Sequence, residues 1–188
     1  MNLTTKRLVL REWNPEDLQP LARINNDPRV ARYVAKLADR RVLAAWIAGQ
    51  REHFNKHGYG LWALELSGAA KLIGFCGLVK VPYQAHFTPA VDIEWRLASA
   101  HWGRGYATEA ASAALAFGFG HLRLNEIVAN AAVANLDSRR VMERLGMTHN
   151  PKDDFDHPLM AGDDPLQRQV LYRIKAENWG KLKASSTG

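Results

Sequence analysis

A mixed sheet flanked by helices, an α/β fold of the α+β kind, is predicted by three stretches of this 188-residue chain. Residues 90–97 alternate apolar and charged side chains, with Asp92, Glu94 and Arg96 in step, which is the period of a half-buried strand. Residues 101–110 form a glycine-spaced turn, His-Trp-Gly-Arg-Gly-Tyr-Ala-Thr-Glu-Ala, that runs straight into an alanine-rich helical pattern. Residues 126–133 read as a second strand, followed by a helix with both ends marked: Asn135 is placed as an N-cap and Gly146 as a C-terminal stop. The order is strand, glycine turn, helix, strand, capped helix.

The other elements follow along the chain. Residues 7–13 alternate as a first strand. Asp17 is expected to cap a helix whose Pro20 lies in the first turn, where a missing N–H costs little. Asp27-Pro28 opens a second helical piece. Residues 39–56 carry Leu43, Trp46, Ile47 and Phe54 at helical spacing. Residues 61–66 and 71–81 pair as a hairpin around the turn 67–70, residues 89–97 make its third member, and 169–175 form the last strand. Composition supports one domain over residues 1–180, with a polar tail at 181–188 that frays.

Composition also narrows the chemistry. The net charge of +6 and pI near 9.6 favour anionic ligands. The basic residues are dispersed and lack the aromatic interleaving of a nucleic-acid surface, so no nucleic-acid partner is expected. No run of 18 apolar residues and no signal-peptide pattern is seen, so no membrane partner is expected and the cytoplasm is the expected location. Cys76, the single cysteine, lies in an apolar run and reads as a small core residue. His53 and His57 are four apart, but no third ligand of matching pattern follows, so no metal site is expected.

The glycine turn is the strongest chemical signal. Gly103, Gly105 and Ala107 keep side-chain bulk off the backbone, so that several N–H groups at the helix start can approach one anion, with pyrophosphate the natural guest. A glycine-containing turn before an ordinary helix is the plainer alternative. Asp92 and Glu94 are two apart on one strand face, where they can serve as proton acceptors or simply face water. Asn135 can cap its helix without any ligand, and Tyr172 can be a packed aromatic in the last strand.

This succession resembles the GNAT acetyltransferases, in particular the RimJ/RimL-like branch. The likeness covers nearly the whole chain: residues 3–11, Asp27-Pro28, residues 62–65 and, most strongly, 87–147. The family's acyl-coenzyme A motif places Gln or Arg, then Gly, then Gly or Ala, where this chain has Trp102, Gly105 and Ala107; Trp102 is a departure that leaves the backbone donors in place. Asn135-x-x-Ser138 and Val141-x-Glu143-x-Leu145-Gly146 match the branch.

The resemblance implies a mostly antiparallel, twisted sheet of about seven strands with a splay between central strands. It implies acetyl-coenzyme A as cosubstrate, bound by Trp95, Arg96, Leu97, Trp102, Gly103, Arg104, Gly105, Tyr106, Ala107, Thr108, Asn135 and Ser138. Its pantetheine would pair with the strand ending at Leu97, where a backbone N–H near residues 95–97 could polarise the thioester carbonyl. Asp92 stands where the family commonly has Glu, and Glu94 where it has Gly. Ser138 would protonate the leaving thiolate, with Tyr172 as the alternative acid. The Asp153-Asp154-Phe155-Asp156-His157-Pro158 loop is read as structural or acceptor-facing rather than cation-binding, the 82–89 loop as lying near the cleft, and Trp62 as an acceptor-wall or core aromatic; a homodimer is a family expectation.

The implied reaction is direct transfer to a primary amine, on a protein N-terminus or a small molecule. An α-amine, with pKa about 7.7–8.0, is roughly one-tenth neutral at pH 7, against about one in two thousand for lysine at about 10.4, so it needs less help from a base. A non-catalytic coenzyme A-binding protein of the same fold is the alternative outside catalysis.

Overall fold

A computed structural model describes residues 1–33 and 39–185. Two compact units make it up: Met1–Val79 with Glu94–Ala114, and Lys80–Ile93 with Leu115–Gly188.

In the first unit, β1 (Leu3–Thr4), β2 (Leu8–Arg11), β3 (Leu61–Leu66) and most of β4 (Ala70–Lys80) pair antiparallel in succession. The alternation in β2 puts Leu8 and Leu10 wholly inside, and Leu64 of β3 lies opposite Leu10. Trp13 closes this core with its indole N–H donating to the Leu61 carbonyl at 2.6 Å, while Trp46 meets its ring edge-on at 5.1 Å between centroids. The helix α3 (Arg40–His57) begins where the Asp39 carboxylate accepts from the N–H groups of Arg41 and Val42, and ends at Gly58. It buries Leu43, Ile47 and Phe54, with Trp46 half-buried.

Two smaller helices precede it, α1 (Leu18–Asn26) and α2 (Pro28–Ala31), and the Asp27 carboxylate caps the second by accepting from Arg29 N–H at 3.0 Å. Asp17 stands at the N-cap position of α1, but its side chain makes no capping bond to that helix. It ends a short 3-10 turn, Pro15–Asp17, where its buried carboxylate accepts from Asn14 N–H and from both terminal nitrogens of Arg11 at 2.7 and 2.8 Å. A two-point charged bond to Arg11 outweighs the single bond that a cap provides.

In the second unit, β6 (Glu126–Ala132) pairs antiparallel along its whole length with β9 (Arg168–Lys175), and β9 also receives β7 (Thr148–His149) and β8 (Phe155–Asp156). The helix α5 (Leu136–Arg144) follows β6, and α6 (Ala176–Ser185) reaches into the segment expected to be a tail; residues 186–188 lie outside the described residues. Strand β5 (Val91–Leu97) contributes Val91–Ile93 to this unit and Glu94–Leu97 to the other, while α4 (Tyr106–Gly120) follows the glycine turn.

The sheet order is β1-β2-β3-β4-β5-β6-β9-β7, with β8 on β9. It is a mixed, mostly antiparallel sheet with flanking helices. Among the described residues, the β5–β6 ladder is the parallel pair Asp92↔Val128, the short contact that a splay leaves. No described helix is long and apolar enough to cross a membrane.

Candidate functional site

The glycine turn lies in the first unit. Gly103 and Gly105 have φ of 71° and 78°, a backbone region that side chains resist, and Trp102, Gly103, Arg104 and Gly105 are exposed before the chain turns inward at buried Tyr106. A Cβ on Gly103 would meet nothing within 4 Å, so the backbone there is open to a guest. The turn opens α4, whose first bond runs from Glu109 N–H to the Gly105 carbonyl at 3.0 Å; Ala107 and Thr108, in the same turn, are half-buried. Trp102 is 42% exposed, yet its indole N–H donates to the Leu97 carbonyl at 2.8 Å and ties the turn to the end of β5. Burial, together with the neighbouring Arg104 charge, holds the His101 pKa below the ordinary imidazole value, which favours the neutral ring.

Glu94 and Arg96 occupy the same unit. Glu94 is exposed, and desolvation raises its pKa above the ordinary carboxylate value against the opposing pull of Arg96. Arg96 donates to Asn25 Oδ1 at 2.7 Å and lies over the Phe75 ring at 5.3 Å. Trp95 is half-buried and Leu97 buried. This end of β5 is reached by Gly74 of β4, where a Cβ would stand 2.0 Å from the Arg96 carbonyl oxygen. Cys76 is fully buried, and burial pushes its thiol pKa far above the ordinary value, with Glu94 adding to the rise.

In the second unit, Asp92 is 6% exposed and accepts from Asn130 Nδ2 at 2.6 Å. Asn135 caps α5, its side-chain oxygen accepting from Ser138 N–H at 3.2 Å, and both residues are half-buried. Tyr172 is buried, its hydroxyl donating to Glu143 Oε1 at 3.1 Å and its ring stacked on His149 at 5.0 Å. Around the 82–89 and 153–158 loops, Tyr83 and His157 lie 4.5 Å apart and Phe87 and Phe155 4.9 Å apart.

A family model described as an acetyltransferase (GNAT) domain matches residues 7–148. The chain belongs to the GNAT acetyltransferase family. It is similar to YkkB of Bacillus subtilis (strain 168), 33% identical over 149 residues that make up 79% of this chain and 86% of that one. The N-acetyltransferase YnaD of the same organism is 27% identical over 179 residues, covering 95% of this chain and 99% of its own. Among solved structures, RimL, a ribosomal L7/L12 α-N-protein acetyltransferase in complex with coenzyme A, shares the fold, with a TM-score of 0.75 at 13% identity over 93% of this chain and 98% of that one. This GNAT protein is thus an N-acetyltransferase using acetyl-coenzyme A.

The GNAT turn is compatible with that donor: the exposed, left-handed Gly103 and Gly105 leave the backbone bare at a helix N-terminus, the kind of place that suits an anion. Of the two readings of Trp62, the core one holds. It is fully buried, packs against Phe54 at 5.3 Å and donates its indole N–H to the Met1 carbonyl. Among the described residues, no group of three or more His, Cys, Asp or Glu side chains is placed to hold a metal ion.

Sequence reasoning missed Arg7. From the turn between β1 and β2 its guanidinium reaches Glu109 at 2.6 Å and the Arg104 carbonyl at 2.9 Å. Only the strand-like spacing around Arg7 was visible, because its partners stand 97 and 102 positions away.

Proposed function

We propose that this GNAT enzyme transfers an acetyl group directly from acetyl-coenzyme A to a primary amine, with a peptide α-amine or a small-molecule amine as acceptor. The observation that carries the reading is the exposed glycine turn at the head of α4, bare of side chains and built of left-handed residues. Gly103, Arg104, Gly105, Tyr106, Ala107 and Thr108 would hold the pyrophosphate, Trp95, Arg96 and Leu97 the pantetheine through their backbone, and Asn135 with Ser138 the thiol end. Acetyl-coenzyme A, when bound, supplies an activated acetyl thioester.

Glu94 is assigned the amine proton. It is accessible, and its raised pKa makes it a better acceptor than an ordinary carboxylate. Asp92, buried and bonded to Asn130, is assigned the orientation of that strand face. A backbone N–H among residues 95–97 polarises the thioester carbonyl. Ser138 delivers a proton to the departing thiolate, an assignment favoured over Tyr172 because the phenol is buried and committed to Glu143. Cys76 forms no acyl-enzyme, since its thiol is fully buried and strongly disfavours ionisation.

The deciding experiment measures thiol release from acetyl-coenzyme A with free amino acids, N-terminal peptides, polyamines and aminoglycosides, alongside calorimetric donor binding. Donor binding with turnover on one acceptor class is expected. Absence of donor binding would overturn the reading, and binding without turnover on any amine would favour a coenzyme A-binding role without catalysis.

A further inference from the structure

A carboxylate stands where an anion site should least tolerate one. Glu109 lies in the first turn of α4, whose exposed N-terminal loop is the pyrophosphate site of the proposed function, on which this inference rests. Its negative charge opposes the helix dipole's attraction for a second anion. The structure surrounds that charge with donors from the β1–β2 turn. Thr5 Oγ1 donates to Glu109 Oε1 at 2.6 Å, Arg7 N–H to the same oxygen at 2.8 Å, and Arg7 Nε to Oε2 at 2.6 Å. Desolvation works to raise the Glu109 pKa, yet the Thr5 and Arg7 bonds prevail and hold it below the ordinary value.

The same guanidinium also engages the loop. Arg7 Nη1 donates to the Arg104 carbonyl at 2.9 Å, its carbon lies 4.5 Å from the centroid of the Tyr106 ring, and Nη2 is 3.5 Å from where a Gly105 Cβ would stand. Bonding the Arg104 carbonyl fixes the tilt of the Arg104–Gly105 peptide, and so the direction of the Gly105 N–H in the same plane. One side chain therefore neutralises the carboxylate and sets the loop.

We propose that Arg7 is a positioning residue for donor binding: it masks Glu109 and braces the 103–106 backbone, so that the loop discriminates for a pyrophosphate-bearing thioester. The role acts through the loop. It therefore affects donors that carry pyrophosphate and spares those that do not.

The test compares calorimetric Kd values for acetyl-coenzyme A and for S-acetyl-pantetheine, which lacks the pyrophosphate, the weaker ligand being read by competition. The wild-type protein is expected to prefer acetyl-coenzyme A strongly. Absence of that preference would overturn the pyrophosphate assignment, and this proposal with it. Given the preference, Arg7→Gln should weaken acetyl-coenzyme A about tenfold, the scale of one charged hydrogen bond, while S-acetyl-pantetheine changes less than about twofold.

Adding Glu109→Gln to Arg7→Gln should recover part of the loss, the share owed to the unmasked charge, while the share owed to the lost loop brace persists. Arg7→Lys, which keeps the charge but not the fork, should fall between. Thermal unfolding identifies the folded variants, and Arg7→Lys carries the test should Arg7→Gln not fold. A folded variant with an unchanged Kd ratio, equal losses on both donors, or a double variant no better than Arg7→Gln would each overturn the proposal while leaving the proposed function standing.

Discussion

Glu94, the proposed amine base, and Tyr172, buried and bonded to Glu143, call for opposite outcomes on substitution. With the Glu94 pKa raised by its surroundings, the acidic limb of the pH–rate curve should lie above the ordinary carboxylate value of about 4.3, since the base works only when deprotonated. Glu94→Gln should lower kcat by about 10²-fold or more and remove that limb, the usual range for a lost general base. A retained limb would transfer the role to Asp92. Tyr172→Phe, by contrast, loses one bond to Glu143; chemical denaturation should show a cost of about 1 kcal/mol, and turnover should stay within about twofold of wild type. Asp92 and Glu94 stood out in sequence through strand alternation and Asn135 through its cap position, whereas Ser138 entered by resemblance to the family signature. Packing of Tyr172 and Trp62 could be read from the sequence, but the particular partners, Glu143 and Phe54, could not, since no local pattern names them.

The approach of β4 to β5 depends on Gly74. Its φ is 152°, and an added Cβ would lie 2.0 Å from the Arg96 carbonyl oxygen and 2.8 Å from Leu97 Cα, both backbone atoms with little freedom to yield. Gly74→Ala should therefore destabilise the protein by about 1–3 kcal/mol in urea unfolding and raise the KM for acetyl-coenzyme A, because the displaced strand segment is the one assigned to the pantetheine. Unaltered stability would mean that β5 can shift without cost. The Asn135 cap, the helix over 39–56 and the alternating strand ending at Leu97 were read correctly, while the capping role of Asp39 was not read. Asp17 stands at the helix start as read, but its bonding was misread, because a carboxylate there looks the same in sequence whether it bonds the helix or an arginine on a neighbouring strand. The strands β1, β7 and β8 have two residues each, too few to show a period.

The whole molecule carries a net charge of +6, a field that draws a polyanionic donor from solution. Raising salt from about 20 to 500 mM shortens the Debye length to a few ångströms and should raise the KM for acetyl-coenzyme A severalfold, while leaving S-acetyl-pantetheine unaffected. A salt-independent KM would mean that the donor is held by local bonds alone. Six tryptophans give the protein its intrinsic fluorescence, and they differ in environment. Trp13 and Trp62 are sealed inside at 2% and 0% exposure, whereas Trp102 is 42% exposed on the glycine turn with its indole tied to Leu97. The red edge of the emission and its quenching by iodide should therefore report on that turn, and Trp102→Phe should remove most of the quenchable signal. Donor arrival should shield this indole and shift the spectrum to the blue, so the molecule carries its own optical gauge of occupancy, usable before any acceptor is known.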